Sequence, residues 1–170
     1  VLANIDKDKF EVTAVEITKS KWIAHIDGAK LPINKHDFSV STPDGKRSFD
    51  KVFNIIHGTP GEDGILQGYF QMVGMPHTSS EVFAMSLTFN KSANNTYLKQ
   101  FGFNCAKSVV LRKTDHYSVS KIVDKLGLPC FVKPNEGGSS IGISKVKEAS
   151  QMVAAIELAF DENSEVIIEE

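Results

Sequence analysis

Lys51-Val52-Phe53-Asn54-Ile55-Ile56, followed by His57-Gly58-Thr59-Pro60-Gly61-Glu62-Asp63-Gly64, is the stretch that decides the fold class. Its first six residues form a compact, β-branched-rich run and read as a buried parallel strand. The glycine-rich octet at its carboxyl end reads as a loop, and loops in that position are where open α/β sheets bind ligands. Beyond it, Ile65, Leu66, Tyr69, Phe70 and Val73 recur at three and four, which predicts a helix from near Asp63 to Gly74. Residues 81–87 and 90–101 carry two more helical patterns, the second with Tyr97, Leu98 and Phe101 on one face and Gly102 just past its end. Strand, loop and helices in this order predict an α/β fold.

Upstream, FEVTAVEI (10–17) alternates as a strand does, whereas 22–45 is irregular text with a short strand at WIAHI as its one regular feature. Downstream, AKSVVL (106–111) reads as a strand and 117–126 as a polar helix ended by Gly127-Leu128-Pro129. PCFVKP, NEGGSS and IGISKV then read as a β-hairpin with a six-residue flexible tip. An amphipathic helix over 148–160 presents Met152, Val153, Ile156 and Phe160 on its apolar face, and the final VIIEE is expected to pair with the earlier strands. A domain boundary is expected between about Phe101 and Ala106, dividing 1–103 from 104–170.

Composition removes several classes of function. The 170 residues are 41% hydrophobic and 24% charged with a net charge of −2, which excludes collagen, a coiled-coil rod and a disordered charged tail. Interspersed charges and a pI near 6.2 leave no global field for nucleic acid or an anionic membrane, and no apolar run is long enough to span a bilayer. Cys105 and Cys130 lie beside apolar residues as buried free thiols do, so a reducing, cytoplasmic protein is expected. The chain starts without Met and stops in a strand-like run, so it reads as a piece of a longer protein.

Two segments carry chemistry. The Gly137-Gly138-Ser139-Ser140 turn, with Lys133 before it and Gly142 after it, combines close backbone approach, hydroxyl donors and a positive charge, as a loop over polyphosphate would. The same text also suits a mobile hairpin tip, and it is not a Walker sequence. In the octet, His57 has the chemistry to orient or deprotonate a small polar substrate, while Glu62 and Asp63 read as caps for the next helix. Lys91, at the start of a helix, is a solvated surface lysine unless it partners Lys133. Glu169 and Glu170 end a strand, where a carboxylate could accept the amine of adenine or face solvent. His25, His36, His77 and His116 are scattered without ligand spacing, and no metal ligand is assigned.

Taken together, HGTPGEDGILQGYFQMVGMPHTSS (57–80), the lysine of FNKSANN at Lys91, GLPCFVKPNEGGSSIGISKV (127–146) and the terminal VIIEE resemble the D-alanine–D-alanine ligases of the ATP-grasp superfamily. The HGxxGEDGxLQG string is highly specific, whereas KPxxxGSS is shared more loosely with other ATP-grasp enzymes. The resemblance implies a parallel-sheet domain of the kind that precedes ATP-grasp domains, followed by the first subdomain of the ATP-grasp domain. It also implies a reaction in which ATP phosphorylates one D-alanine and the amine of a second attacks the acyl phosphate, for peptidoglycan precursors. By position, His57 would contact the first D-alanine, Lys91 and Lys133 would hold the ATP phosphates, and Gly138, Ser139 and Ser140 would cover them. Ser139 would also join a hydrogen-bond network at the substrates, and Glu169, with Glu170 beside it, would meet adenine. Dimerisation is usual in the family. The family's usual text at the first lysine is MDK, and here Asn90 replaces the acid. The family's first strand would precede Val1, and its Mg²⁺ ligands and catalytic arginine would follow Glu170, so this piece by itself is expected to be inactive. A D-lactate or D-serine ligase, or a non-catalytic nucleotide-binding module, are the alternatives.

Overall fold

A computed structural model describes residues 2–170, which form two compact units. One comprises the residues up to Phe53 together with Tyr69–Thr78, and the other comprises Asn54–Gly68 and Ser79–Glu170.

The first unit contains an antiparallel meander of β1 (Ala14–Ile17), β2 (Trp22–Ile26), β3 (Ala29–Asn34), β4 (Ser39–Thr42) and β5 (Gly45–Arg47), in that spatial order. The segment that reads as irregular in the sequence thus holds most of a sheet. Its strands are only three to six residues long, and the alternation is clear only where Ala24 and Ile26 turn inward on β2. The missed signal was Asp27-Gly28, whose positive φ values of 49° and 80° make the two-residue turn that matches strand twist. Phe38, 2% exposed, lies at the centre of an aromatic cluster, with its ring centroid 5.4 Å from Phe70, 5.8 Å from Phe49 and 6.2 Å from Trp22. Beside it, Lys46 and Ser39 bond the Asp37 carboxylate and hold its pKa down at about 2.

The parallel strand expected over 51–56 requires correction. Val52 alone forms a parallel bridge, to His77, with Val52 N–H donating to Pro76 O at 2.8 Å and Thr78 N–H donating to Val52 O at 3.1 Å. A buried parallel strand has pairing partners along its length and cover on both faces. Here Phe53 and Ile55 are 58% and 53% exposed, and the named strands of both sheets pair antiparallel.

Helix α1 (Ile65–Met72) runs through the division between the units, and α2 (Val82–Phe89) and α3 (Lys91–Gln100) follow in the second unit. Next come β6 (Ser108–Arg112), α4 (Val119–Leu126), β7 (Cys130–Pro134), β8 (Ser144–Val146), α5 (Met152–Glu162) and β9 (Glu165–Glu169). The four strands form an antiparallel sheet ordered β6-β9-β7-β8, so the last strand in sequence is internal. Composition explains this placement: Val166, Ile167 and Ile168 are fully buried, a run that only an internal strand can cover on both faces. Ile122 and Leu126 of α4 and Met152, Ala155, Ile156 and Ala159 of α5 close one core with Val132, Val146, Val166 and Ile168. The α/β class expected from the sequence holds.

Candidate active site

The register of the second sheet creates the first feature of the site. Phe131 faces Glu169 and Lys133 faces Ile167 in the antiparallel β7–β9 pair, so Lys133 and Glu169 are diagonal neighbours on one face. Long side chains close that diagonal, and Lys133 Nζ donates to Glu169 Oε2 at 2.5 Å. The pair is sheltered, with side chains 25% and 11% exposed, and Asn95 Nδ2 from α3 donates to the other carboxylate oxygen at 2.6 Å.

Lys91 reaches the same place from the start of α3. Its backbone N–H donates to Asn135 O at 3.0 Å, and its Nζ donates to Gly137 O at 3.1 Å, at the root of the glycine-rich turn. Burial, together with the charge of Lys133, pulls the Lys91 ammonium below the ordinary lysine range, while Glu169 and Glu136 act the other way. Asn135, fully buried, fixes this junction. Its Oδ1 accepts from Ser92 N–H at 2.9 Å, while its Nδ2 donates to Glu165 Oε2 at 3.0 Å and Asn90 Oδ1 at 3.1 Å. Asn90 caps α3 by accepting from Ala93 N–H at 3.0 Å, and its Nδ2 donates to Glu136 Oε1 at 2.8 Å. That last bond needs a donor on the Asn90 side chain, which a carboxylate at this position would lack.

The loop carrying His57 is braced from within. Gly61 O accepts from Asn54 Nδ2 at 2.8 Å and from buried Gln67 Nε2 at 2.7 Å. Glu62 does not act as the helix cap its position suggests; its Oε2 accepts Gly58 N–H at 2.6 Å. Asp63 does support the helix start, accepting from Ile65 N–H at 3.0 Å. The same Glu62 oxygen lies 3.6 Å from where a Cβ on Gly138 would stand, so the loop and the glycine-rich turn meet at this carboxylate. His57 is exposed, and among the described residues its ring has no hydrogen-bond partner.

Lys91, Lys133, Glu169 and the root of the turn are thus brought together, with the His57 loop joined to the turn through Glu62. The hairpin tip is longer than the six residues expected, because β7 ends at Pro134 and β8 begins at Ser144. Gly138, Ser139 and Ser140 are exposed on it, the serines with left-handed φ values of 53° and 58°. Glu170 is placed apart from the lysines: its carboxylate accepts Lys107 N–H at 3.1 Å, which with the Lys107 charge lowers its pKa. Asn90, Asn95, Asn135 and Glu136 were not identified from the sequence. Only Asn90 carried a signal, as an N-cap residue directly before a helical pattern.

Two profiles match consecutive parts of the chain: the one described as D-ala D-ala ligase N-terminus over residues 1–80, and the one described as D-ala D-ala ligase C-terminus over 97–170. Among curated proteins, the chain is 46% identical over 166 residues to a D-alanine--D-alanine ligase of Phocaeicola vulgatus, covering 97% of this chain and 51% of that protein. It is 47% identical over 167 residues to one of Flavobacterium johnsoniae, with the same coverage of each chain. The chain spans about half the length of these relatives. Among solved structures, a D-Ala:D-Ser ligase from Enterococcus faecalis superposes with a TM-score of 0.82 at 30% identity, over 99% of this chain and 55% of that one. D-alanyl-alanine synthetase A from Vibrio cholerae does so with 0.82 at 27% identity, over 96% and 49%. With profiles for both ends of one ligase matched in order and the ATP-grasp ligase fold shared along nearly all its length, this chain belongs to the D-alanine–D-alanine ligase family.

Proposed function

We propose that the full-length protein carrying this chain joins two D-alanines with ATP. A carboxylate oxygen of the first D-alanine attacks the γ-phosphorus, the bond to the β–γ bridging oxygen breaks, and ADP leaves. The amine of the second D-alanine then attacks the acyl carbon, phosphate departs, and the amine loses a proton to give the dipeptide used for peptidoglycan precursors. The observation that carries this reading is the convergence of Lys91 and Lys133 beneath a glycine-rich turn that meets the His57 loop at Glu62.

The electrostatics fit a polyphosphate. Burial first, and then the charge of Lys133, make the Lys91 ammonium costly to charge, and a bound anion relieves that cost. The two ammonium groups would stabilise the charge that spreads over the phosphoryl group during transfer. In this reading Gly138, Ser139 and Ser140 close over the phosphates, Ser139 and His57 face the amino-acid substrates, and Glu169 with Glu170 lies at the adenine end. ATP binding then requires Lys133 to share or release its bond to Glu169. Mg²⁺ would supply further charge neutralisation, but among the described residues no three of His, Cys, Asp or Glu converge as ligands, so none is assigned to it. Residues 1–103 serve as the substrate-binding domain and 104–170 as the start of the ATP-grasp domain. We place the protein in the cytoplasm, acting on neither nucleic acid nor membrane, with the dimer usual in the family as the assembly to test for; no helix among the described residues is long and apolar enough to cross a bilayer.

Phosphate release by the full-length protein with ATP and Mg²⁺ tests the reading. Release with D-alanine but not L-alanine is expected, and none with any amino acid overturns it; D-serine and D-lactate arms, each beside D-alanine, establish the second substrate. Because His57 has no hydrogen-bond partner among the described residues, His57→Gln is expected to leave the melting temperature unchanged. It should raise the KM of the first D-alanine about tenfold, the loss of one charge-assisted or well-placed hydrogen bond. An unchanged KM would remove His57 from the substrate.

A further inference from the structure

We propose that Asn90 is a positioning residue for the nucleotide site: it holds the Glu136 carboxylate away from Lys91, so that the lysine stays available to phosphate. This rests on the ATP-binding reading of the site and adds residues that the reading does not use.

The argument begins with what surrounds Glu136. It opens the glycine-rich turn directly before Gly137, whose carbonyl accepts the Lys91 ammonium at 3.1 Å. Its negative charge already reaches Lys91, partly offsetting the effect of burial on that group. A carboxylate on a flexible stem one residue from a lysine's hydrogen-bond partner is a natural competitor for that lysine. What restrains it is the Asn90 amide, which donates to Glu136 Oε1 at 2.8 Å across an isolated antiparallel bridge between the two residues. Released, Glu136 would pair with Lys91 and present a negative charge to the incoming phosphates.

The geometry also supplies a clean perturbation. Asn90 Oδ1 accepts from Ala93 N–H, Ser92 Oγ–H and Asn135 Nδ2, at 3.0, 3.1 and 3.1 Å. An aspartate keeps every one of these bonds and remains a good helix cap. It loses only the donor to Glu136 and sets two carboxylates against each other. The substitution Asn90→Asp therefore removes the restraint while sparing the cap. Adding Glu136→Gln restores a donor–acceptor pair with the direction reversed, because the new amide donates to the new carboxylate.

The test is ATP titration by calorimetry of the full-length protein, with thermal unfolding alongside, for wild type, Asn90→Asp, Glu136→Gln and the double variant. Asn90→Asp is expected to weaken ATP binding about tenfold, about 1.4 kcal/mol, while the melting temperature moves little. The double variant is expected to return to within about twofold of wild type. ATP affinity unchanged in Asn90→Asp overturns the inference, and so does a weakened affinity that Glu136→Gln fails to rescue. Wild type that does not bind ATP overturns both the inference and the reading beneath it. Wild type that binds ATP but releases no phosphate with D-alanine overturns the ligase reading alone, and the four affinities still decide the role of Asn90.

Discussion

In the full-length protein, Lys133→Ala is expected to weaken ATP binding about a hundredfold, about 2.7 kcal/mol, and to leave the affinity for the first D-alanine within about threefold. The size follows from the surroundings. Lys133 stands on an internal pair of strands with its ammonium sheltered among Glu169, the Phe131 ring and, across the site, Lys91. A phosphate contact made there is little screened by water, and truncating one partner of such a contact removes most of its worth. The same substitution strips Glu169 of its ammonium partner and leaves a carboxylate whose side chain is 11% exposed with only Asn95 to bond it. That should cost about 2–3 kcal/mol of stability, somewhat less than a fully buried broken pair because both side chains retain some solvent contact. The two effects separate in the double variant Lys133→Ala/Glu169→Gln, which removes the stranded charge while leaving an amide oxygen to accept from Asn95 and from the adenine amine. It is expected to recover most of the lost stability in denaturant unfolding and none of the lost ATP affinity. Recovery of both would reduce Lys133 to a structural partner of Glu169.

Gly61→Ala has the largest expected effect on the His57 loop. A Cβ at this position would stand 2.2 Å from Ile56 O and 2.6 Å from Ile56 Cβ, and those atoms belong to the loop's own base. Gly61 cannot move aside without loss, since its N–H donates to Gly58 O at 2.7 Å and its carbonyl accepts from both Asn54 and Gln67. An alanine therefore breaks part of a buried hydrogen-bond cluster or displaces the turn that carries His57. The expected loss is about 3–4 kcal/mol of unfolding free energy, at the severe end for one substitution. The retained fraction is expected to bind ATP normally but to use D-alanine poorly. If unfolding and D-alanine KM both remain at wild-type values, the close approach of Gly61 to Ile56 is not a constraint on the loop.

Much of the site was visible in the chain as text. The glycines, serines and lysine of 133–142 and the octet at 57–64 are local patterns whose residue types and spacing suggest chemistry beside a plain structural reading, whereas Lys91 read as a surface lysine until the family resemblance singled it out. Helix α4 was equally legible, since Ile122 and Leu126 recur at four and Gly127 stops them. The β1–β5 meander was mostly invisible, because strands of three to six residues with a solvated face leave too few alternations to count. The run at 51–56 misled in the opposite way. Its apolar, β-branched composition reports that the segment prefers extended backbone, but whether it becomes a ladder depends on partners elsewhere.

The sequence by itself determined the α/β class and the list of reactive side chains, because these depend on composition, periodicity and short-range spacing, and its motif strings carried the family resemblance. The tertiary structure alone decided which of those side chains meet. Lys133 and Glu169 lie 36 residues apart and pair through the β7–β9 register, and Asn90 and Glu136 lie 46 apart and join where α3 begins beside the glycine-rich turn. Alternation along a strand says which face a residue occupies and nothing about the neighbour it finds there. That is why the lysines were found in the sequence, and the asparagines and glutamate that hold them in place only in the fold.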